Sequence, residues 1–273
     1  MTMLRLLSVT MVLMAAIAVS RSYPTLYGET GLVLVPTADT IPDTFVELAL
    51  NYATAETPGG DAILFPARLL YGASDNNELF IIFAESITDT ADGGFDTLGA
   101  GFKVSLKKED LFTQAPGFAF GARLYQKHGF TSQRALEAYA VASKILLKRT
   151  DLIDDSGYTF RGHLAGFFSR FTGDPAEENF WSLAAGFSYE NFNGTAVVID
   201  YVPKLESNGV MFRDAELSFA VRRALSREFF IEAGTTQPFN EGSGGNIYAG
   251  LLYRWGTRDE PIRKRPRIEG MKF

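Results

Sequence analysis

Apolar and polar residues alternate along most of this chain, in segments of about ten residues separated by clusters of turn-forming residues. Within Phe95 to Leu106, for example, every second residue from Leu98 onward is apolar, and the residues between them are small or charged. Side chains alternate across a β-strand, so each such segment predicts a strand with two unlike faces. The pattern predicts an all-β fold, specifically an antiparallel transmembrane β-barrel.

The alternating segments predict about twelve strands. They are Val46 to Tyr52, Phe65 to Tyr71, Leu79 to Phe83, Phe95 to Leu106, Phe118 to Tyr125, Gln133 to Arg149, Phe160 to Phe168, Trp181 to Glu190, Val197 to Tyr201, Ala215 to Val221, Phe229 to Thr235 and Ile247 to Trp255. The even number suits a single-chain bacterial barrel. Connections that alternate in length predict short turns at one end and longer loops at the other, although Lys107 to Gly117 and Lys148 to Gly157 are long on the short side.

The segment Gln133 to Arg149 also fits a second structure. It is rich in alanine, so its helix propensity is compatible with an amphipathic helix. We interpret it as a strand with four outward side chains: Tyr139, Val141, Ile145 and Leu147.

Alternation by itself does not distinguish the inside of a barrel from its outside. A soluble exported barrel or sandwich that binds a small ligand, with the apolar face as its core, is the alternative fold. Strand length near ten residues and aromatic residues at strand ends favour the membrane. These aromatic residues are Trp181, Tyr189, Tyr253 and Trp255.

The first twenty residues have the layout of a secretory signal peptide, with Arg5 followed by an apolar stretch from Leu6 to Val19 and small residues. Export and a barrel together predict the outer membrane of a Gram-negative-type bacterium. The domain prediction is residues 1–20 as signal peptide, 21–44 as a turn-rich segment, 45–256 as the barrel and 257–273 as a polar, basic tail. The chain has no cysteine, which excludes disulfides and thiol chemistry.

Charged residues recur on the faces opposite the apolar ones. An arginine or lysine facing lipid at the bilayer midplane would cost ~2 to 4 kcal/mol, so these charges are expected to face the lumen. The predicted lumen-facing set is Glu47, Arg68, Lys103, Arg123, Arg161, Asp200, Glu216, Arg222, Glu232 and Arg254. Paired across strands they would fill a packed lumen, which the mixed signs favour; surrounded by water they would line a passage for a polar solute.

Little in the sequence points to catalysis, a metal or a cofactor, and the prediction is no enzyme and no cofactor. The chain has two histidines, His128 and His163. On the strand predicted for His163, Ser169 would lie about 20 Å away at ~3.3 Å per residue, too far for a Ser–His pair, although a serine on a neighbouring strand could replace it. A lipid hydrolase in the barrel wall is therefore a minor alternative. The acidic net charge of -6 gives no indication of a nucleic-acid partner.

The stretch from Tyr27 to Asp43 contains a spaced Gly–Gly–Leu and Pro–Thr–Ala–Asp pattern that runs directly into the first strand. This pattern resembles the opening of the YjbH-type outer-membrane proteins linked to exopolysaccharide production, at the positions Gly28, Gly31, Leu32, Pro36, Thr37, Ala38, Asp39 and Pro42. The resemblance implies a single barrel region with a role in exopolysaccharide production or export, or in envelope structure. Its expected partners are outer-membrane lipid, and polysaccharide or envelope proteins. From the residues themselves, Leu32 to Val35 is either an extra strand or a segment tucked into the barrel mouth.

Overall fold

The computed structural model describes residues 25–26, 29–57, 60–88, 96–109, 115–128, 133–151, 156–173, 177–191, 193–213, 215–226, 228–238 and 246–256. The predicted signal peptide, the basic tail and Gly28 lie outside the described residues. Among the described residues, no helix has the length and apolar character needed to span a membrane.

The described chain forms a closed antiparallel barrel of twelve strands and a separate two-stranded hairpin. The barrel strands are β1 (Val46–Thr57), β2 (Gly60–Ser74), β3 (Asn77–Thr88), β4 (Asp96–Lys107), β5 (Gly117–His128), β6 (Gln133–Asp151), β7 (Ser156–Gly173), β8 (Glu178–Asn191), β9 (Thr195–Val202), β12 (Glu216–Ala224), β13 (Phe229–Pro238) and β14 (Asn246–Trp255). The hairpin consists of β10 (Leu205–Ser207) and β11 (Val210–Arg213). Successive barrel strands are neighbours, and β14 pairs with β1, so the sheet closes on itself. The predicted fold and strand number are confirmed.

Segment 133–151 is a strand, and its helical alternative is wrong. Its predicted facing is also wrong at three of the four positions. Tyr139 and Val141 are buried in the interior, and Ile145 lies opposite the inward-facing Arg161, whereas Leu147 is exposed on the outside. The irregularity in register between Ile145 and Leu147 shifts the alternation by one residue, so the two ends of this strand do not follow one pattern.

The hairpin of β6 and β7 extends beyond its neighbour β5. Pairing of β5 with β6 ends at Gly117 and Ser143, while pairing of β6 with β7 continues to Asp151 and Ser156. The predicted long connection from Lys148 to Gly157 is therefore shortened to residues 152–155. The carboxylate of Glu109, in the connection before β5, accepts the backbone N–H of Ile145 and so satisfies a donor on the uncovered edge of β6.

Most of the described residues that precede β1 lie inside the barrel. Leu32 to Val35 are buried, and their flanking residues Gly31 and Pro36 form an isolated antiparallel bridge. We call residues 25–26 and 29–45 the plug. Of the two structures considered for Leu32 to Val35, a segment tucked into the barrel is the one observed, and it lies within the buried core rather than forming a strand of the wall.

Candidate functional site

The charged residues predicted to face the lumen are distributed around the interior wall. Eight of them are buried, namely Glu47, Arg68, Lys103, Arg123, Asp200, Arg222, Glu232 and Arg254. Arg161 and Glu216 are partly buried. An isolated buried charge is costly, so each of these groups requires a partner.

Five wall cations on five different strands find that partner in an oxygen atom of the plug. The Nζ of Lys103 donates to the carbonyl of Thr30 at 2.7 Å. The guanidinium of Arg222 donates to the carbonyls of Gly31 and Leu32, at 3.0 and 2.7 Å. The other three contacts are Arg68 with the carbonyl of Thr25, Arg123 with the carboxylate of Glu29, and Arg161 with the carboxylate of Asp39.

Two wall carboxylates bind the plug in the opposite sense, by accepting from its backbone N–H groups. Glu78 accepts from Thr30 at 2.8 Å and from Ile41 at 3.0 Å, which holds together two parts of the plug that are eleven positions apart. Asp200 accepts from Leu34 at 2.7 Å and from Val35 at 2.9 Å. The wall thus satisfies both donors and acceptors of a chain segment that has almost no secondary structure of its own.

The wall charges also pair with one another. Glu232 lies 3.2 Å from Arg68 and 3.0 Å from Arg222, and Nε of Arg254 donates to Glu47 at 2.7 Å. These pairs join separate strands around the lumen, and removing one partner of such a buried pair typically costs about 3 to 5 kcal/mol.

Three buried carboxylates of the site escaped the sequence analysis: Glu29, Glu78 and Glu137. Glu137 binds Arg123 at 2.7 Å and accepts from the hydroxyl of Ser169 at 2.7 Å. It lies on the same face as Tyr139, so assigning Tyr139 to the outside also placed Glu137 outside. Glu78 directly follows a turn and Glu29 belongs to the plug, so neither had an alternating neighbourhood to mark it.

An apolar cluster occupies the interior beside these polar contacts. Leu32 to Val35 belong to one buried cluster with Tyr139, Val141 and Phe167 of the wall. The inward-facing apolar residues of β6 and β7 are therefore explained by the plug, because they pack against a segment of the chain rather than against water. The interior is therefore a mixed polar and apolar core and not a uniformly polar lumen.

The motif positions on either side of Leu32 are fixed by close packing. A Cβ on Gly31 would overlap Thr25 and the carbonyl of Val35 and lie 2.8 Å from the Cα of Pro36, so the close approach at this bridge requires glycine. The N–H of Thr37 donates to the carbonyl of Thr30 at 3.1 Å.

The remaining motif positions lead the chain from the plug into β1. The N–H of Ala38 donates to the hydroxyl of Ser143 on the wall at 2.8 Å. The carbonyl of Pro42 accepts from Phe45 at 3.2 Å.

The two plug carboxylates that pair with wall arginines, Glu29 and Asp39, differ electrostatically. Burial raises the pKa of Asp39, but the charge and hydrogen bonds of Arg161 outweigh it and hold the pKa at about 2. Arg161 binds both oxygens of Asp39 and lies 3.0 Å from Glu109. Burial raises the pKa of Glu29 above its ordinary value, against the opposing effect of Arg123. Asp39 is therefore the plug group whose charge the wall stabilises most clearly.

His163 contacts serines on both neighbouring strands. Its Nδ1 lies 2.8 Å from the hydroxyl of Ser143, and its Nε2 lies 3.1 Å from that of Ser188. Ser143 also accepts from Ala38, so the imidazole takes part in holding the plug. The side chain of His128 is outside the described set. Among the described residues, no three His, Cys, Asp or Glu side chains cluster to hold a metal ion.

The hairpin of β10 and β11 turns inward at the end of the barrel opposite the start of β1. Its turn residues Asn208 and Gly209 have φ of 52° and 78°, as a tight hairpin turn with the twist of its strands requires. Phe212 packs against the rings of Phe171 and Phe180, with centroids 5.2 and 5.1 Å apart. A guanidinium nitrogen of Arg213 lies 3.6 Å from Glu137. This hairpin brings Arg213 to the charged interior.

The outer surface is the reverse of the interior. Leu50, Ile81, Leu124, Leu183 and Leu251 each expose at least half of their surface. A closed barrel with apolar side chains on its outside and charged side chains buried inside is suited to a lipid bilayer, because its outer face contacts hydrocarbon. The protein is an outer-membrane β-barrel. A soluble barrel with an apolar core is wrong for this chain, because its large apolar side chains would face water.

Aromatic residues lie at the strand ends of this outer-membrane barrel. Tyr189 stacks on Tyr158, and Tyr253 stacks on Trp255, with centroid separations of 5.6 Å in both pairs. At the other end, Trp181 packs against Phe168 at 4.9 Å. Paired aromatic rings at the two rims are typical of membrane interfaces.

No protein-family model matches the sequence, and no curated protein matches it. Solved structures similar to this barrel include the KdgM porin in complex with disordered oligogalacturonate, at a TM-score of 0.49 and 8% identity over 76% of this chain and 98% of that one. An outer membrane channel from Pseudomonas putida F1 has a TM-score of 0.45 and 13% identity, covering 80% and 98%. An outer membrane protein from Acinetobacter baumannii has a TM-score of 0.40 and 13% identity, covering 78% and 99%. With TM-scores below 0.5, the fold assignment depends on the strand pairing of this chain and not on these likenesses.

Proposed function

We propose that this protein is an outer-membrane channel for an envelope polysaccharide, and that the plug keeps the channel closed at rest. The observation that carries the proposal is the chemistry of the plug's contacts, because five wall cations and two wall carboxylates bind it. Polar wall groups that lose the plug can exchange their partners for water, whereas an apolar wall would be left exposed.

The resemblance of the plug sequence to the YjbH-type proteins is the reason for proposing a polysaccharide as the solute. Four of the matching residues, Gly31, Leu32, Ala38 and Asp39, bond the wall, so the resembling pattern and the closing element overlap. A plug that fills the lumen at rest and can leave it would allow a polymer to pass.

A permanently closed barrel with a structural role in the envelope is the second candidate. The apolar packing of Leu32 to Val35 against Phe167 favours it, because exposing these side chains to water costs about 25 cal/mol per Å² of apolar surface. We also infer a role without catalysis, because both ring nitrogens of His163 are occupied by serines rather than oriented by a carboxylate.

Conductance in planar bilayers tests the channel. The full chain is expected to conduct poorly, and the variant Glu29→Gln/Asp39→Asn, which weakens two ionic contacts of the plug, is expected to conduct more. Asp43→Asn is the matched control, because Asp43 belongs to the same segment but is exposed.

An engineered disulfide sharpens the test, since the chain has no cysteine of its own. In the Glu29→Gln/Asp39→Asn background, Ala38→Cys with Ser143→Cys links the plug to the wall at an observed contact. We expect low conductance when this pair is oxidised and high conductance after reduction. In cells, oxidation is expected to reduce surface exopolysaccharide. Equal conductance in both redox states would support the permanently closed barrel.

A further inference from the structure

The plug presents mainly oxygen atoms to the cations of the wall. Two are side-chain carboxylates, Glu29 and Asp39, and the others are backbone carbonyls of Thr25, Thr30, Gly31 and Leu32. The receiving cations belong to β2, β4, β5, β7 and β12, so they surround the plug on several sides instead of forming one patch.

The two wall carboxylates complete the pattern. Glu78 and Asp200 accept from N–H donors of the plug, at distances of 2.7 to 3.0 Å. A ligand that replaced the plug would therefore need anionic groups and neutral oxygens for the cations, together with donors for the carboxylates. An acidic polysaccharide meets all three needs, since its uronate carboxylates and ring or acetyl oxygens accept, while its hydroxyls donate.

Removal of the plug would also change the charge balance of the wall. In the part of the chain that the structure describes, the ion-pair partners of Arg161 are Asp39 and Glu109, neither of which lies on a barrel strand. Arg123 shares its charge between Glu29 of the plug and Glu137 of the wall. Departure of the plug takes Glu29 and Asp39 away, so Arg123 and Arg161 each keep one carboxylate partner and can accept another from the entering solute.

We propose that the plug is an internal stand-in for an acidic polysaccharide, with Arg123 and Arg161 as the positions that recognise the carboxylates of the polymer. This inference rests on the proposed channel function and names its substrate class. Glu29 and Asp39 occupy the positions of two acidic groups of the polymer, and the polymer competes with the plug for the same wall.

The first experiment measures selectivity and block in bilayers, using the Glu29→Gln/Asp39→Asn variant. Under a potassium chloride gradient the reversal potential is expected to indicate anion preference. A short glucuronate oligomer is expected to block the current at a concentration at least about tenfold lower than a neutral glucose oligomer of equal length, since one charge-assisted contact is worth about that factor. Adding Arg161→Gln is expected to remove most of this difference, whereas Arg223→Gln, at an exposed position, is expected to leave it intact.

The second experiment uses the unaltered protein, so it does not depend on an opening variant. Hydrogen exchange at the plug amides that bind the wall, including those of Leu34, Val35 and Ala38, is expected to accelerate when the glucuronate oligomer is added, and not with the glucose oligomer. The stand-in proposal would be overturned if the current were cation-selective or blocked equally by both oligomers, and if hydrogen exchange of the plug stayed unchanged. The proposed channel function would survive that result. Absence of current in every variant would instead overturn the channel itself.

Discussion

Replacing Asp39 with asparagine should loosen the plug selectively. Asp39 binds Arg161 through both carboxylate oxygens, and its side chain is 23% exposed. Asparagine keeps the size and one acceptor but removes the charge. Arg161 retains Glu109 at 3.0 Å, so the substitution does not leave it as an unpaired cation, and the barrel is expected to remain folded.

The magnitude follows from the pKa of Asp39. The carboxyl has an ordinary pKa of 3.8 and one of about 2 in the folded protein. At about 1.4 kcal/mol per pH unit, this depression is worth about 2.5 kcal/mol of docking energy at neutral pH, or roughly sixtyfold in the docking equilibrium. Because the folded pKa is lowered, this contribution is fully present above pH 3.8 and is lost as pH falls toward 2.

Hydrogen exchange of the plug in detergent or nanodiscs provides the measurement. At neutral pH, Asp39→Asn is expected to lower the protection of the Ala38 amide by roughly sixtyfold, and Asp43→Asn to leave it unchanged. In bilayers, wild-type conductance is expected to rise below pH 4, and this rise should be much smaller in Asp39→Asn. Protection in Asp39→Asn equal to that of Asp43→Asn would refute the assignment of docking energy to the Arg161 pair.

Three further outcomes are expected from the facing of the strands, the packing of the plug and the closure of the barrel. Leu183→Arg places a cation toward lipid and should impair assembly by ~2 to 4 kcal/mol. Ser182→Arg, on the inward side, should be better tolerated and should lose yield mainly by crowding against Arg213; folding yields in vesicles compare the two. Normal assembly of Leu183→Arg with failure of Ser182→Arg would invert the assigned faces. Gly186→Val should displace Leu32, which a Cβ there would overlap, and raise conductance, while Gly166→Val, with its nearest neighbour at 3.5 Å, should not. Unboiled protein from the outer-membrane fraction should migrate differently on a gel from boiled protein, and identical mobility would argue against a detergent-resistant closed barrel.

The alternation of residues was sufficient to predict the barrel and its strand number, because the two faces of each strand meet opposite environments over most of their length. It failed in β6, where Tyr139 and Val141 were assigned to lipid. Apolar side chains satisfy either hydrocarbon or an apolar plug, so their polarity does not specify which one they contact. The nearby Glu137 carried the contrary signal, since a carboxylate on that face demands the interior.

The candidate site was predictable only in part. The wall charges could be located because a charge on a membrane strand has one acceptable direction. Their partners could not, since Asp200 and Leu34 are separated by 166 positions, and no local pattern relates a turn-rich segment to a distant strand. Prolines and glycines marked residues 21–44 as turn-rich, but the docking of the plug depends on tertiary packing.

The separation between the plug and its partners has a consequence for biogenesis. Gly31 binds Arg222 across 191 positions, and the wall that holds the plug is complete only when β14 pairs with β1. The segment that precedes the first strand therefore gains most of its contacts last, and contacts so distant in sequence form slowly. Leu32 to Val35 must be kept from other apolar surfaces throughout the delivery of the remaining chain. Docking of the plug thereby reports that the wall has closed, and a barrel stalled before its final strand would display an undocked amino-terminal segment to the quality-control proteases of the envelope.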